Sequence, residues 1–92
     1  MIARKIIYRG HFNDESIGTI FDIARKNEIT GVIKKISNTE VELNLEGDPS
    51  MIKLIQHQIE RKIKSSISDK TIGPIPYQYF VGVNFVENIS PS

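Results

Sequence analysis

The chain has 92 residues, a length that suits one domain. Two domains would have about 45 residues each, too few for two independent cores without disulfides or metals. There is no cysteine, which excludes a disulfide scaffold, a cysteine-ligated metal and a thiol nucleophile. The formal net charge of +1 gives no general reason to expect nucleic acid or an anionic membrane as a partner.

Neither a secretory signal nor a membrane span is expected from the sequence. No apolar stretch follows the basic pair Arg4-Lys5, as a secretory signal would require. No apolar run approaches the roughly 20 residues that cross a bilayer. We therefore expect a cytoplasmic protein in which residues 1–92 form a single domain, with a loose tail from Asn88 to Ser92.

The first third of the chain predicts a strand, a polar loop and a helix. β-favouring residues fill Ala3 to Arg9, and this run ends at Gly10. The loop that follows offers several good helix N-caps, namely Asn13, Asp14 and Ser16. Apolar residues then recur at helical spacing as far as about Lys26, at Ile17, Ile20, Phe21 and Ala24.

A β-hairpin is predicted next. One strand covers Ile29 to Ile36, and Ser37-Asn38-Thr39 forms a tight turn. From Glu40 to Glu46 apolar and polar residues alternate strictly, which indicates a strand with one buried and one wet face. The buried residues of this strand are predicted to be Val41, Leu43 and Leu45.

A second helix and a last strand complete the prediction. Asp48 is the expected N-cap, with Pro49 at the first helical position. The structure of residues 65–78 is left open, because Pro74 and Pro76 permit at most a bulged or edge strand there. A last strand is predicted from Tyr79 to Val86.

The element order β-α-β-β-α-β is typical of the α+β, ferredoxin-like split βαβ fold. It implies an antiparallel four-stranded sheet with two helices on one face and water on the other. A fifth strand at the edge is left open. The predicted core is Ile20, Phe21, Ala24, Val41, Leu43, Leu45, Ile55, Ile59, Val83 and Phe85.

Several short segments, in this order and at this spacing, resemble the acylphosphatase family over nearly the whole chain. They are Gly10, Ala24-Arg25-Lys26, Ile29-Thr30-Gly31-Val32, Val41-Glu42-Leu43 and Leu45-Glu46-Gly47-Asp48. The resemblance implies the same fold and, in intact members, hydrolysis of acyl phosphates. It also implies a loop after the first strand that holds the phosphate with an arginine and backbone N–H groups, and an asparagine that orients the attacking water.

The two catalytic positions of the family are not matched. The place of the arginine falls on Ile17 or, after a one-residue gap, on its neighbour Ser16 or Gly18, and that of the asparagine falls on Lys35. Isoleucine cannot bind an anion, and the loop has gained two carboxylates, Asp14 and Glu15. The sequence therefore predicts an acylphosphatase-like domain without phosphatase activity that acts as a binding or interaction module. The alternative is an altered acylphosphatase with Lys35 as the anion ligand.

A candidate ligand-binding loop can be named nonetheless. It consists of Gly10, His11, Phe12, Asn13, Asp14, Glu15 and Ser16. Helix capping and surface exposure explain most of these residues equally well. His11 and His57 have no metal-ligand spacing, so no metal site is predicted.

Other binding functions are less favoured by the residues. Ile29-Thr30-Gly31 and Leu45-Glu46-Gly47 also resemble blue-light flavin (BLUF) domains, but Leu43 stands where those domains have a glutamine. We expect no flavin and no other cofactor. Nucleic acid is not expected, because the third strand offers only Glu and Asn outward. The partner is left open between a small anionic ligand and a protein, and the basic run Arg61 to Lys64 is interpreted as a helix end.

Overall fold

The fold combines one β-sheet with two α-helices in a computed structural model that describes residues 1–87. The tail expected from Asn88 to Ser92 lies outside the described residues. The elements are β1 (Ile2–Gly10), α1 (Asp14–Lys26), β2 (Thr30–Ser37), β3 (Glu40–Gly47), α2 (Pro49–Lys62), a 3₁₀ turn (Lys64–Ser66), β4 (Ile67–Pro74) and β5 (Val83–Glu87). Among these residues neither helix combines the length and the apolar character that a bilayer crossing requires.

The sheet has five strands in the order β4-β1-β3-β2-β5 within the described residues. β1, β2, β3 and β4 pair in antiparallel fashion, whereas β5 pairs with β2 in parallel. The predicted α+β fold with two helices is confirmed, and the extra edge strand that was left open is present. The antiparallel arrangement is wrong, because the five-stranded sheet is mixed. The fourth strand is Ile67–Pro74, and the predicted strand from Tyr79 begins only at Val83 as a fifth strand.

The position of β4 at a sheet edge explains why its sequence carries no strand signal. Only Ile67 and Gly73 of this strand are partly buried, and its other residues are exposed. A strand with no buried face has no reason to alternate apolar and polar residues. Pro74 is its last residue, where a missing N–H donor is tolerated. The strand is held by its backbone pairing with β1, which no local pattern reveals.

The core lies between the sheet and the two helices, and most of its predicted members are confirmed. Buried as predicted are Ile20, Ala24, Val41, Leu43, Leu45, Ile55 and Ile59. Phe21 and Val83 only pack against this core from its margin. Phe85 is 40% exposed, so its placement in the core is wrong. The reason is the position of β5 at the sheet edge, where α1 packs against it but leaves Phe85 partly open to solvent.

The opposite face of the sheet is partly covered by the chain itself. β4 and β5 lie at opposite edges, so the segment Ile75–Gly82, which we call the strap, must cross the sheet. Ile75 N donates to Ala3 O at its start, and Gly82 O accepts from Gly31 N at its end. The expectation of a wet face is therefore wrong at Asn44 and Glu46, which are buried under the strap.

Glu46 fixes the strap through three backbone hydrogen bonds. Its carboxylate accepts from the N–H groups of Gln78, Tyr79 (3.1 Å) and Phe80 (2.7 Å). Tyr79 has a left-handed backbone with φ 58°, and such a turn brings successive N–H groups to one side as an anion nest. Because Glu46 is only 1% exposed, these charge-assisted bonds replace the water that its carboxylate has lost.

α2 begins as the sequence predicts. The side chain of Asp48 accepts from Ser50 N at 2.9 Å and from the Ser50 hydroxyl at 2.6 Å, and Pro49 occupies the first helical position. These hydrogen bonds from Ser50 favour the ionised form and lower the pKa of Asp48. The N-cap prediction is therefore confirmed.

Replacing Leu43 by alanine tests the core. Leu43 is fully buried, so Leu43→Ala is expected to lower the free energy of unfolding by about 2–5 kcal/mol in urea titrations. The matched control is Leu54→Ala on the outer side of α2, where the leucine is 44% exposed and the expected loss is below about 1 kcal/mol. Equal losses for the two variants would contradict the arrangement of the core.

Replacing Glu46 by glutamine tests the strap. An amide has one acceptor oxygen and no charge, so Glu46→Gln is expected to destabilise the fold by about 1–3 kcal/mol. Hydrogen exchange should accelerate at the amides of Gln78, Tyr79 and Phe80, which the carboxylate accepts from. Glu42→Gln changes a carboxylate on the same face that accepts from Asn44 Nδ2 and not from these three amides, so it should leave their exchange unchanged. Unchanged exchange in Glu46→Gln would show that the carboxylate does not hold the strap.

Candidate functional site

The loop between β1 and α1 has its backbone donors already committed to the protein. Gly10 N donates to Thr39 O at 3.0 Å, His11 N to Ser66 O at 2.9 Å and Phe12 N to Asn38 O at 2.8 Å. A donor that is bound to a carbonyl oxygen does not face an incoming anion. These three N–H groups therefore form no phosphate cradle in this structure.

The next residues of the loop are occupied with capping α1. Asn13 and Ser16 form a reciprocal capping box, in which Ser16 N donates to Asn13 Oδ1 and Asn13 N donates to Ser16 Oγ, both at 2.9 Å. Ile17 N donates to Asn13 O at 3.0 Å. The prediction of a helix cap in this loop is confirmed, with Asn13 as the cap.

The side chains of the loop separate into an inner and an outer set. Phe12 and Ser16 are buried, whereas His11, Asn13, Asp14 and Glu15 are exposed. Gly10 is required by space, because a Cβ at this position would collide with the carbonyl oxygen of Ser66. The loop residues thus do not converge on one point as a set of ligands would.

The structure does bring the two unmatched family positions together. Ile17 and Lys35 line one cavity of about 310 Å³ between α1, β2 and β5, together with Asp14, Gly18, Phe21, Phe85 and Glu87. Ile17 points inward, is 7% exposed and belongs to the hydrophobic core. The side chain of Lys35 is 13% exposed. The cavity therefore presents an apolar wall and one largely buried ammonium group.

Two carboxylates flank the ammonium group of Lys35. Its Nζ lies 3.9 Å from Asp14 Oδ1 and 3.8 Å from Glu87 Oε1. Both acidic side chains are well exposed, so each pair is weak, yet together they compete with any anion for the lysine. Lys34 lies on the other face of β2, where its Nζ is 3.7 Å from Glu42 Oε2. Lys35 therefore lines the cavity, whereas Lys34 does not.

The sequence did not reveal Glu87 or the two phenylalanines that line the cavity. Phe21 and Phe85 meet edge to face with ring centroids 6.3 Å apart, and the guanidinium of Arg25 lies 5.5 Å from the Phe21 centroid. Glu87 faces Lys35 because β5 pairs with β2 in parallel, with these two residues in register. Only a predicted parallel pairing of β5 with β2 would have identified Glu87, and the sequence indicated an antiparallel arrangement.

The comparison with known proteins agrees with this geometry. The sequence profile of the family described as Acylphosphatase matches residues 18–86. The chain belongs to the acylphosphatase family. The match begins at Gly18 and so does not include the loop Gly10–Ile17, where members of the family bind phosphate. No curated protein sequence matches the chain.

Solved acylphosphatases share the fold. The structure of acylphosphatase from Bacillus subtilis gives a TM-score of 0.82 at 17% identity, covering 94% of this chain and 99% of that one. An acylphosphatase from Coxiella burnetii gives 0.79 at 15% identity, covering 91% and 90%. Full-length HypF in a phosphate- and nucleotide-bound form gives 0.74 at 20% identity, covering 95% of this chain and 12% of HypF. At these identities the likeness concerns the fold alone.

Metal-ligating side chains do not gather at this cavity or elsewhere in residues 1–87. That part of the chain holds no group of three or more His, Asp or Glu side chains arranged for a metal ion. Lys35, Asp14 and Glu87 carry the polar chemistry of the cavity.

Titration with inorganic phosphate tests the loop geometry. Amide NMR spectra of the ¹⁵N-labelled domain should show no saturable shift at Asp14 or Glu15, whose N–H groups stand in the first turn of α1, because both residues carry carboxylates that repel the anion. The amides of Gly10, His11 and Phe12 should also stay in place, since each donates to a carbonyl oxygen. Saturable shifts confined to these five amides would mean that the phosphate loop has survived.

Proposed function

We propose that this acylphosphatase-family domain is a non-catalytic binding or interaction module. The single observation that carries the proposal is the commitment of the loop N–H groups of Gly10, His11 and Phe12 to carbonyl oxygens of the protein. Hydrolysis of an acyl phosphate needs preorganised donors around the phosphoryl oxygens. In this loop the N–H groups of Gly10, His11 and Phe12 donate to the protein itself, and Ile17 is turned into the core instead of reaching the loop.

The chemistry at Lys35 supports the same proposal. An ammonium group has three donors and no acceptor, so it cannot take a proton from an attacking water or orient that water as an amide does. Its positive charge is also shared between Asp14 and Glu87. Losing one positioned donor lowers a rate by about 100- to 1000-fold in well-studied hydrolases. Here the guanidinium and the amide are both absent.

One observation favours a second candidate function. Lys35 is a largely buried cation at the wall of a cavity of about 310 Å³, as an anion ligand would be. An altered acylphosphatase could hold the phosphoryl group on Lys35 if Asp14 and Glu87 moved aside. This candidate leaves the water without a positioning group, which is why we rank it second.

Steady-state hydrolysis of benzoyl phosphate separates the two candidates. The wild-type domain is expected to hydrolyse it no faster than buffer, whereas the Bacillus subtilis acylphosphatase serves as the active control. Lys35→Ala and the matched control Lys34→Ala on the opposite face should both leave that background unchanged. Robust wild-type activity that Lys35→Ala abolishes and Lys34→Ala retains would overturn the proposal in favour of the altered enzyme.

The variant Ile17→Arg with Lys35→Asn addresses the loop separately. It restores both family side chains, but the three loop N–H groups stay bound to Thr39, Ser66 and Asn38. We therefore expect at most slight turnover, with folding checked by circular dichroism because Ile17 is a core residue. Turnover close to that of the active control would show that side chains alone, and not the loop backbone, determine the loss.

A further inference from the structure

A second cleft lies at the other edge of the sheet from the cavity at Lys35. It has a volume of about 590 Å³ and is formed by the last turns of α2, the 3₁₀ turn and the start of β4. Basic side chains line it from both sides, with His57, Arg61 and Lys64 on the helical side and Lys70 on β4. A basic helix end alone does not explain this cluster, because Lys70 comes from a strand.

The two carboxylates of this cleft both have cationic partners, although Asp69 is exposed and shares Arg9 with Glu40. Glu60 Oε1 accepts from Lys70 Nζ at 2.7 Å, and Glu60 Oε2 accepts from the buried Tyr8 hydroxyl at 3.0 Å. Burial raises the pKa of Glu60, but hydrogen bonds from Lys70, Gln56 and Tyr8 outweigh it and hold the pKa below its usual value. Asp69 Oδ2 lies 3.4 Å from Arg9 Nη1.

The cleft therefore keeps an excess of positive charge. Within residues 1–87 no carboxylate lies within 4.0 Å of the charged groups of Arg61 or Lys64, nor of the His57 ring. Two carbonyl groups at the end of α2 are occupied within the protein, since Ile59 O accepts from Ile63 N at 3.0 Å and Ile63 O accepts from Ser66 N at 2.8 Å.

The size and the lining of the cleft restrict which anions it can bind. Its volume falls within the range of small-molecule sites. Ile67, partly buried against the core, gives it an apolar floor, and the Ser68 hydroxyl is exposed at its wall. A nucleic acid would need a stripe of cations along the surface, which a net charge of +1 and an acidic β3 do not provide. A compact anion with an apolar part fits better.

We propose that this cleft binds a small phosphorylated molecule that has an apolar part. Arg61 and Lys64 would hold the phosphate as charge-assisted donors. The apolar part of the ligand would lie on Ile67. This site is separate from the cavity at Lys35, and its occupation does not depend on whether that cavity is catalytic.

Calorimetry and amide NMR on the whole domain test the proposal, with ADP and adenosine as probes at low salt. ADP is expected to bind saturably and to shift amides between His57 and Lys70, whereas adenosine should not bind. Arg61→Gln and Lys64→Gln should each weaken ADP binding about tenfold, the value of one charge-assisted hydrogen bond. The matched control is Lys62→Gln on the same helix but outside the cleft, which should change the affinity less than twofold.

Three results would overturn the proposal. One is the absence of saturable ADP binding at millimolar concentration. Another is equal weakening by Lys62→Gln, which would indicate attraction to net charge instead of a built site. The third is binding of a poly-glutamate peptide, but not of ADP, that Arg61→Gln and Lys64→Gln weaken, which would assign the cleft to an acidic protein partner.

Discussion

The hydrogen bonds between Glu46 and the strap set the position of everything that follows them in the chain. β4 ends at one edge of the sheet, and β5 must reach the other edge, so the intervening Ile75–Gly82 has to be held against the open face. Glu46 does this from the middle strand with three backbone donors. Only then does β5 lie beside β2, with Phe85 and Glu87 at the cavity that contains Lys35.

The elements that bury only one face against the core could be predicted from the sequence. β3 alternates Val41, Leu43 and Leu45 with polar residues because helices cover one of its faces, and α1 shows its apolar stripe for the same reason. β4 and β5 could not be placed this way. Neither has a well-buried face, and each is defined by pairing with a strand far away in the chain.

Burial of Asn44 and Glu46 shows the limit of the same reasoning. Polar residues on alternating positions indicate a face without apolar packing, but not a face without protein. A carboxylate surrounded by backbone N–H groups has the same sequence signature as one surrounded by water. The distinction depends on the strap, which arrives at Glu46 from 32 residues further along the chain.

The sequence predicts which two positions belong to the candidate site, but it does not predict the chemistry that the site offers. The resemblance to the family assigns Ile17 and Lys35 to its two catalytic positions, and they do line one cavity. The function of the loop depends on which groups accept hydrogen bonds from its backbone N–H groups. These acceptors are carbonyl oxygens of the β2–β3 turn and of Ser66. Carbonyl groups exist at every residue, so no residue type at Asn38, Thr39 or Ser66 could reveal that they serve the loop.

The strap has a consequence for the order of assembly of the domain. β2 and β3 form a local hairpin, whereas β5 gains its partner only after a loop that spans two strands and a helix has closed. Closing that loop confines many residues before the first β2–β5 hydrogen bond forms, so the hairpin provides the template and β5 docks late. We therefore expect the strap and β5 to open from the native state before the β2–β3 hairpin does.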